Sequence, residues 1–151
     1  MLSRGRNRLK TRPLSRAGLA LRWLLTLAWM GTIFYLSHQS SPLGASPGDA
    51  ESSLAHVGVY AVLAVLLYWA LWTAVARDDP ELAPIVATVA FGLAVLYGVS
   101  DELHQAYVPG RVASERDLAL DGLGAILGLG LALAAQRALG ALSRASLSET
   151  P

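Results

Sequence analysis

The chain has no cysteine. That excludes disulfides and thiolate metal sites, so any metal would be held by histidine and carboxylate ligands. Charge is also scarce. Charged residues make up 15% and apolar residues 54%, against roughly 25% and 45–50% in soluble proteins. Acidic residues are missing altogether before Asp49, whereas seven cations (Arg4, Arg6, Arg8, Lys10, Arg12, Arg16 and Arg22) precede Trp23. The net charge of +1 therefore hides a strongly basic N-terminal arm on a nearly neutral body. An apolar run, Trp23 to Leu36, follows the arm directly. This juxtaposition disfavours nucleic acid as a partner and points to membrane lipids, with the basic end held among anionic head groups on the cytoplasmic side.

What is present is mostly apolar and comes in four lengths. At 151 residues there is room for one domain. Segments at about Leu19–Ser37, Leu54–Ala76, Leu82–Ser100 and Leu118–Ala135 approach the roughly 17–25 residues a membrane-crossing helix needs. The first has a basic flank but no Ala-x-Ala after its apolar core, so it reads as an uncleaved anchor and not a cleaved signal peptide. Ser40 to Gly48 is a turn-rich loop, and Arg77-Asp78-Asp79-Pro80-Glu81 is a short charged turn. With the N-terminus inside, Arg77, Arg137 and Arg144 also fall inside, and only Arg111 and Arg116 face out. The expected fold is all-α: a four-helix transmembrane bundle of a multi-pass cell-membrane protein with both termini cytoplasmic. Its expected parts are a basic arm (1–18), the membrane domain (19–136) and a short cytoplasmic tail (137–151).

The polar residues are concentrated between Ser100 and Gly128. This stretch holds five of the eleven acids (Asp101, Glu102, Glu115, Asp117, Asp121) and one of the three histidines. Ionisable groups at a membrane boundary are costly unless paired or hydrated, which makes them functional candidates. Helical spacing sorts them into faces. His56 and Tyr60 share one, and Gly98, Asp101 and Gln105 share another with Glu102 beside them. Asp117, Asp121, Gly124 and Gly128 form a stripe whose two glycines make a G-x-x-x-G for close helix packing. Asp117 suits the N-cap of the fourth span. Pro109-Gly110 reads as a turn that folds Arg111 back toward Asp101, Asp117 or Asp121. Trp23, Trp29, Trp69 and Trp72 read as span and interface aromatics. The expected topology brings all the polar groups to the extracytoplasmic side.

The candidate catalytic cluster is therefore His56, Asp101, Glu102, His104 and Asp117. Gln39, Tyr60, Gln105, Arg111 and Asp121 are candidates for holding a substrate. Two chemistries fit. In one, a carboxylate and a histidine do acid–base work on the head group of a lipid-linked envelope substrate, with Arg111 on a phosphate. In the other, His56, His104 and a choice of the acids bind a divalent cation such as zinc or manganese. The spacing matches no metal motif, so no cofactor is expected outright. A non-enzymatic scaffold for an envelope enzyme is the alternative, its polar cluster serving only to lock the helices. A channel or proton-linked transporter is disfavoured, since no charge lies mid-membrane in the second or third span.

These residues also carry a resemblance. Phe34-Tyr35-Leu36-Ser37 with Gln39-Ser40, Ala55-His56 with Tyr60, Ser100-Asp101-Glu102-Leu103-His104-Gln105, Val108-Pro109-Gly110-Arg111, and Asp117 followed by Gly124 and Gly128 resemble the VanZ-like family of small bacterial membrane proteins. The resemblance covers roughly Phe34 to Gly128. It departs at Asp121, where an asparagine is usual, and at His38, in a stretch more often serine-rich. It implies a cell-envelope role, with a link to glycopeptide (teicoplanin) resistance through the family's namesake. Members outside resistance clusters imply a more general envelope role.

Overall fold

The computed structural model describes residues 15–39, 50–76 and 79–148, and every regular element among them is helical. The first helix, α1 (Arg16–Ser37), starts where the Ser15 side chain accepts the Gly18 N–H and ends where the His38 N–H reaches the Phe34 carbonyl. The second, α2 (Ala50–Leu71), widens into one π-helical turn at Trp72–Ala76. A short 3₁₀ turn, Pro80–Leu82, capped by the Asp79 side chain, leads into α3 (Ala83–Gln105). The last helix, α4, runs from Glu115 to Ser148. All four are long and apolar enough to cross a membrane.

The helix α2 packs against the other three. Its closest neighbour is α4, and the reason is glycine. A Cβ at Gly124 would collide with the backbone of Val57, and one at Gly128 with the backbone of Ala61. The G-x-x-x-G expected to pack does so, letting two backbones touch where any side chain would force them apart. Tyr60, Leu63, Ala64, Ala90, Ala94 and Ala125 fill the core. Two polar links cross it from aromatic rings: Trp29 Nε1 donates to the Val59 carbonyl at 2.9 Å, and the Tyr97 hydroxyl to the Met30 carbonyl at 2.6 Å. Trp29 is thus a helix-to-helix tie as well as a span aromatic. Outside, Leu24, Leu96 and Leu131 are more than 60% exposed. That inversion of the soluble pattern is stable where lipid is the solvent.

The helix ends sort into two poles. Ser37 at the end of α1 bonds Asp101 near the end of α3, and His56 early in α2 bonds Asp121 early in α4. At the other pole Arg22 lies over the Trp69 ring, 4.2 Å from its centroid, and Tyr68 bonds Gln136.

Three boundaries differ from expectation. The third span continues past Ser100 to Gln105, because Asp101, Glu102 and Gln105 find partners inside the bundle instead of leaving it for water. The fourth helix does not stop at Ala135. At 34 residues it is about 51 Å long, against a hydrocarbon core of about 30 Å, so what reads as a polar tail is a helical extension. Ser114, not Asp117, caps it: the Ser114 hydroxyl and carbonyl both accept the Asp117 N–H. Asp117 is the third residue of that first turn, at the S-x-x-D spacing of a capping box, but the Ser114 N–H donates to Glu102 Oε2 and not to Asp117. The basic arm up to Arg12, the Ser40–Gly48 loop and Arg77 lie outside the described residues.

Candidate functional site

The site is built by one pole of the bundle, and α3 runs through the middle of it. Its last turns carry Gly98, Asp101, Glu102 and Gln105, all buried. From these turns two seams open, one toward α1 and one toward α2 and α4.

On the α1 seam, Asp101 Oδ2 accepts the Ser37 hydroxyl at 2.7 Å and the Gln105 amide at 3.0 Å. Gln105 also reaches the Ser37 oxygen at 3.4 Å. The three side chains are a closed triangle of one acid and two neutral donors; Asp101 and Gln105 share a face as expected, whereas Gly98, expected with them, faces Asp121 and Tyr60. Above it the His104 ring packs on Phe34, centroids 4.4 Å apart, and its Nε2 lies 3.3 Å from His38 Nδ1. His104 thus joins His38 and does not join His56.

On the other seam, His56 Nδ1 stands 2.8 Å from Asp121 Oδ1. An ionised carboxylate can only accept, so the imidazole donates from Nδ1 and Nε2 is left for other work. Nε2 faces Asp117 Oδ2 at 4.0 Å. Glu102 enters from α3 and anchors itself by accepting the Ser114 N–H at 2.7 Å through Oε2. Single ligand atoms of His56, Glu102 and Asp121 all fall within 4.8 Å of one another. Asp121 is wholly buried, and its position depends on Gly98: a Cβ there would stand 3.2 Å from Asp121 Oδ2 and 3.4 Å from the Tyr60 ring.

This pole leaves polar atoms unsatisfied. Tyr60 OH, Asp101 Oδ1, Glu102 Oε1, Asp121 Oδ2 and Arg111 Nε are buried with no hydrogen-bond partner. Each such atom carries a desolvation penalty. Pro109-Gly110 forms the expected turn, with Gly110 at φ 81° and the Arg111 N–H on the Val108 carbonyl, the proline-then-glycine order of a type II turn. The turn does not deliver the expected ion pair. Among the described residues the only ion pairs to these acids come from His56, and Arg111 pairs with none of Asp101, Asp117 or Asp121. Gln39 sits just past α1, half-buried, with its N–H on the Leu36 carbonyl.

Two serines that hold the site together were not among the candidates. Ser37 lies within the stretch that carries the family resemblance, and Ser114 precedes Asp117 at the spacing of a capping box. Each was legible by that signal alone. Chemically, a histidine oriented by a buried carboxylate can act as a general base or a metal ligand, and a half-buried arginine at the same pole can hold a phosphate.

No curated protein and no solved structure matches this chain. A family model described as VanZ/LLP1 does, over residues 22–136. That span takes in α2 and α3 whole, most of α1 and α4, both seams and the Arg111 turn, and the chain is a member of the VanZ/LLP1 family.

Proposed function

We propose that the polar pole faces the extracytoplasmic side and binds a cell-envelope component such as a lipid-linked precursor or a lipid head group. One observation carries this reading: five buried side-chain atoms from α2, α3, α4 and the Arg111 turn have no partner, and among the described residues all such atoms lie at this one end of the bundle. Arg16, Arg22, Arg137 and Arg144 belong to the opposite ends of α1 and α4, which under the positive-inside rule supports an outward-facing site. The buried acids and histidine would act on the head group, with Arg111 on its phosphate. Family membership supports a link to glycopeptide resistance.

The test is binding of a polyprenyl phosphate to the detergent-purified chain, read by native mass spectrometry, with teicoplanin susceptibility of a host expressing it as a second readout. Wild type should retain the lipid and Arg111→Ala should lose it at equal abundance. If Arg111→Ala and His56→Ala both bind as wild type does, the reading fails. A scaffold role is favoured by a different observation: Ser37–Asp101, Glu102–Ser114 and His56–Asp121 each tie two separate parts of the chain. On that reading the same variants lose thermal stability and no lipid is bound in the first place.

A further inference from the structure

We propose that His56, Glu102 and Asp121 form a divalent-cation site suited to zinc or manganese. This deepens the reading above by naming what the buried oxygens hold, and it relies on that reading only for the place, not for the lipid.

The argument begins with donors and acceptors. On the seam between α2 and α4, three carboxylates (Glu102, Asp117, Asp121) surround one imidazole. The donors that reach them are the His56 Nδ1–H and the Ser114 N–H, which satisfy Asp121 Oδ1 and Glu102 Oε2. The other oxygen of each acid, Asp121 Oδ2 and Glu102 Oε1, is buried with no partner. Asp121 is 0% and Glu102 6% exposed, so water does not reach them freely. Even a doubly protonated His56 adds a single further donor, Nε2–H, 4.0 Å from Asp117 Oδ2, and the two orphaned oxygens still have none. Acceptors facing acceptors in an apolar bundle are unfavourable. A cation among them satisfies all of them at once.

The geometry and chemistry agree. Metal bonds of about 2.0–2.2 Å place the ligand atoms of a tetrahedral ion about 3.3–3.6 Å apart. The triad's atoms already lie within 4.8 Å of one another, so a small contraction closes the site. A cation that takes the place of the Nδ1 proton, between His56 and Asp121, leaves Nε2–H toward Asp117 Oδ2 at 4.0 Å, a carboxylate placed to fix the ligating histidine's tautomer. One nitrogen and two carboxylate oxygens suit zinc or manganese, and with no cysteine in the chain thiolate ligation is excluded. The other seam brings no second acid or imidazole to Asp101: its Oδ2 is met by Ser37 and Gln105, its Oδ1 stands alone, and His104 is met by His38 and Phe34.

The experiment uses the full chain purified in detergent and stripped with EDTA, then titrated with Mn²⁺ or Zn²⁺ alone. Bound metal is measured after desalting, and Tm with and without it. Wild type should bind stoichiometrically and gain Tm, reversed by EDTA. Glu102→Gln and Asp121→Asn should bind roughly tenfold more weakly or worse, while His104→Ala, on the other seam, should bind as wild type does. Asparagine has the size and shape of aspartate and its carbonyl oxygen can still accept from His56 Nδ1–H, which favours a folded variant. Should Asp121→Asn nevertheless lose its helical circular dichroism, Glu102→Gln decides, because its amide oxygen can still accept from Ser114. A wild type with no metal-dependent Tm change, triad variants that bind normally, or loss of binding in His104→Ala would each overturn the proposal. Lipid binding is scored separately in metal-free buffer, so either reading can fail without the other.

Discussion

The two seams of the polar pole use the same kinds of residue to opposite ends. Toward α1, both neutral donors, Ser37 and Gln105, converge on one oxygen of Asp101, Oδ2, while Oδ1 is left unpartnered, and a histidine packs against another histidine and a phenylalanine. Toward α2 and α4, the histidine faces three acids, and two of those acids keep an unpartnered oxygen. The rotation of α3, about 100° per residue, makes the split. Asp101, His104 and Gln105 turn to α1, while Gly98 and Glu102 turn to the other helices. One seam has the look of a clasp and the other of a binding site. Adjacent residues, Asp101 and Glu102, serve different seams for no reason beyond helical phase.

The largest effect should come from pulling the second seam apart at its backbone. Gly124→Val puts a branched side chain where even a Cβ collides with Val57. The cost is that of overpacking or more, about 1–3 kcal/mol and upward, because the obstacle is backbone and cannot rotate away. His56 and Asp121 should separate while the α1 seam stays closed. Crosslinking through cysteines introduced at Phe34 and His104 checks this: the crosslink should form in Gly124→Val at the wild-type rate even as Tm collapses.

A second comparison sets one histidine against the other. His56→Ala leaves Asp121 buried with neither oxygen partnered, and breaking such a pair typically costs about 3–5 kcal/mol. His104→Ala removes a ring contact on an exposed rim, worth about 0.5–1.5 kcal/mol. Chemical or thermal unfolding in detergent should rank them in that order. Equal losses would mean that the seams are one cooperative unit and that the contrast between them is only geometric.

Much of this was legible in the sequence, and what was not has a physical cause. Four spans follow from apolar length alone, and the packed stripe of Asp121, Gly124 and Gly128 follows from period. The shared face of Asp101 and Gln105 follows from their four-residue spacing, while Gly98 and Glu102, also four apart, share the other. Helix ends were less legible, because polar residues such as Asp101 and Glu102 end a span only when water is their best partner, and here protein is. The pairing of His104 with His38, and not with His56, depends on which neighbour each face of α3 meets, and no spacing along one chain encodes that. Arg111 was read through charge complementarity, which says which partner suits it but not whether a nine-residue connection can bring it there.

The smallest predicted effect probes how the second seam is held and not what it contains. Ser114 does two jobs with two groups: its backbone N–H anchors Glu102 Oε2, and its hydroxyl caps α4 by accepting the Asp117 N–H at 3.2 Å. Ser114→Ala deletes only the second. An N-cap serine replaced by alanine costs about 0.5–2 kcal/mol, and the value here should sit near the lower end because the Ser114 carbonyl also accepts that N–H. Ser114→Thr keeps the oxygen and should unfold within a few tenths of a kcal/mol of wild type. Amide hydrogen exchange at Asp117 and Leu118 should quicken in the alanine variant, with Gln105 and the α1 seam unchanged. If exchange quickens on both seams together, the loop from Ala106 to Ser114 is transmitting strain between them, and the division that α3 imposes is softer than its contacts suggest.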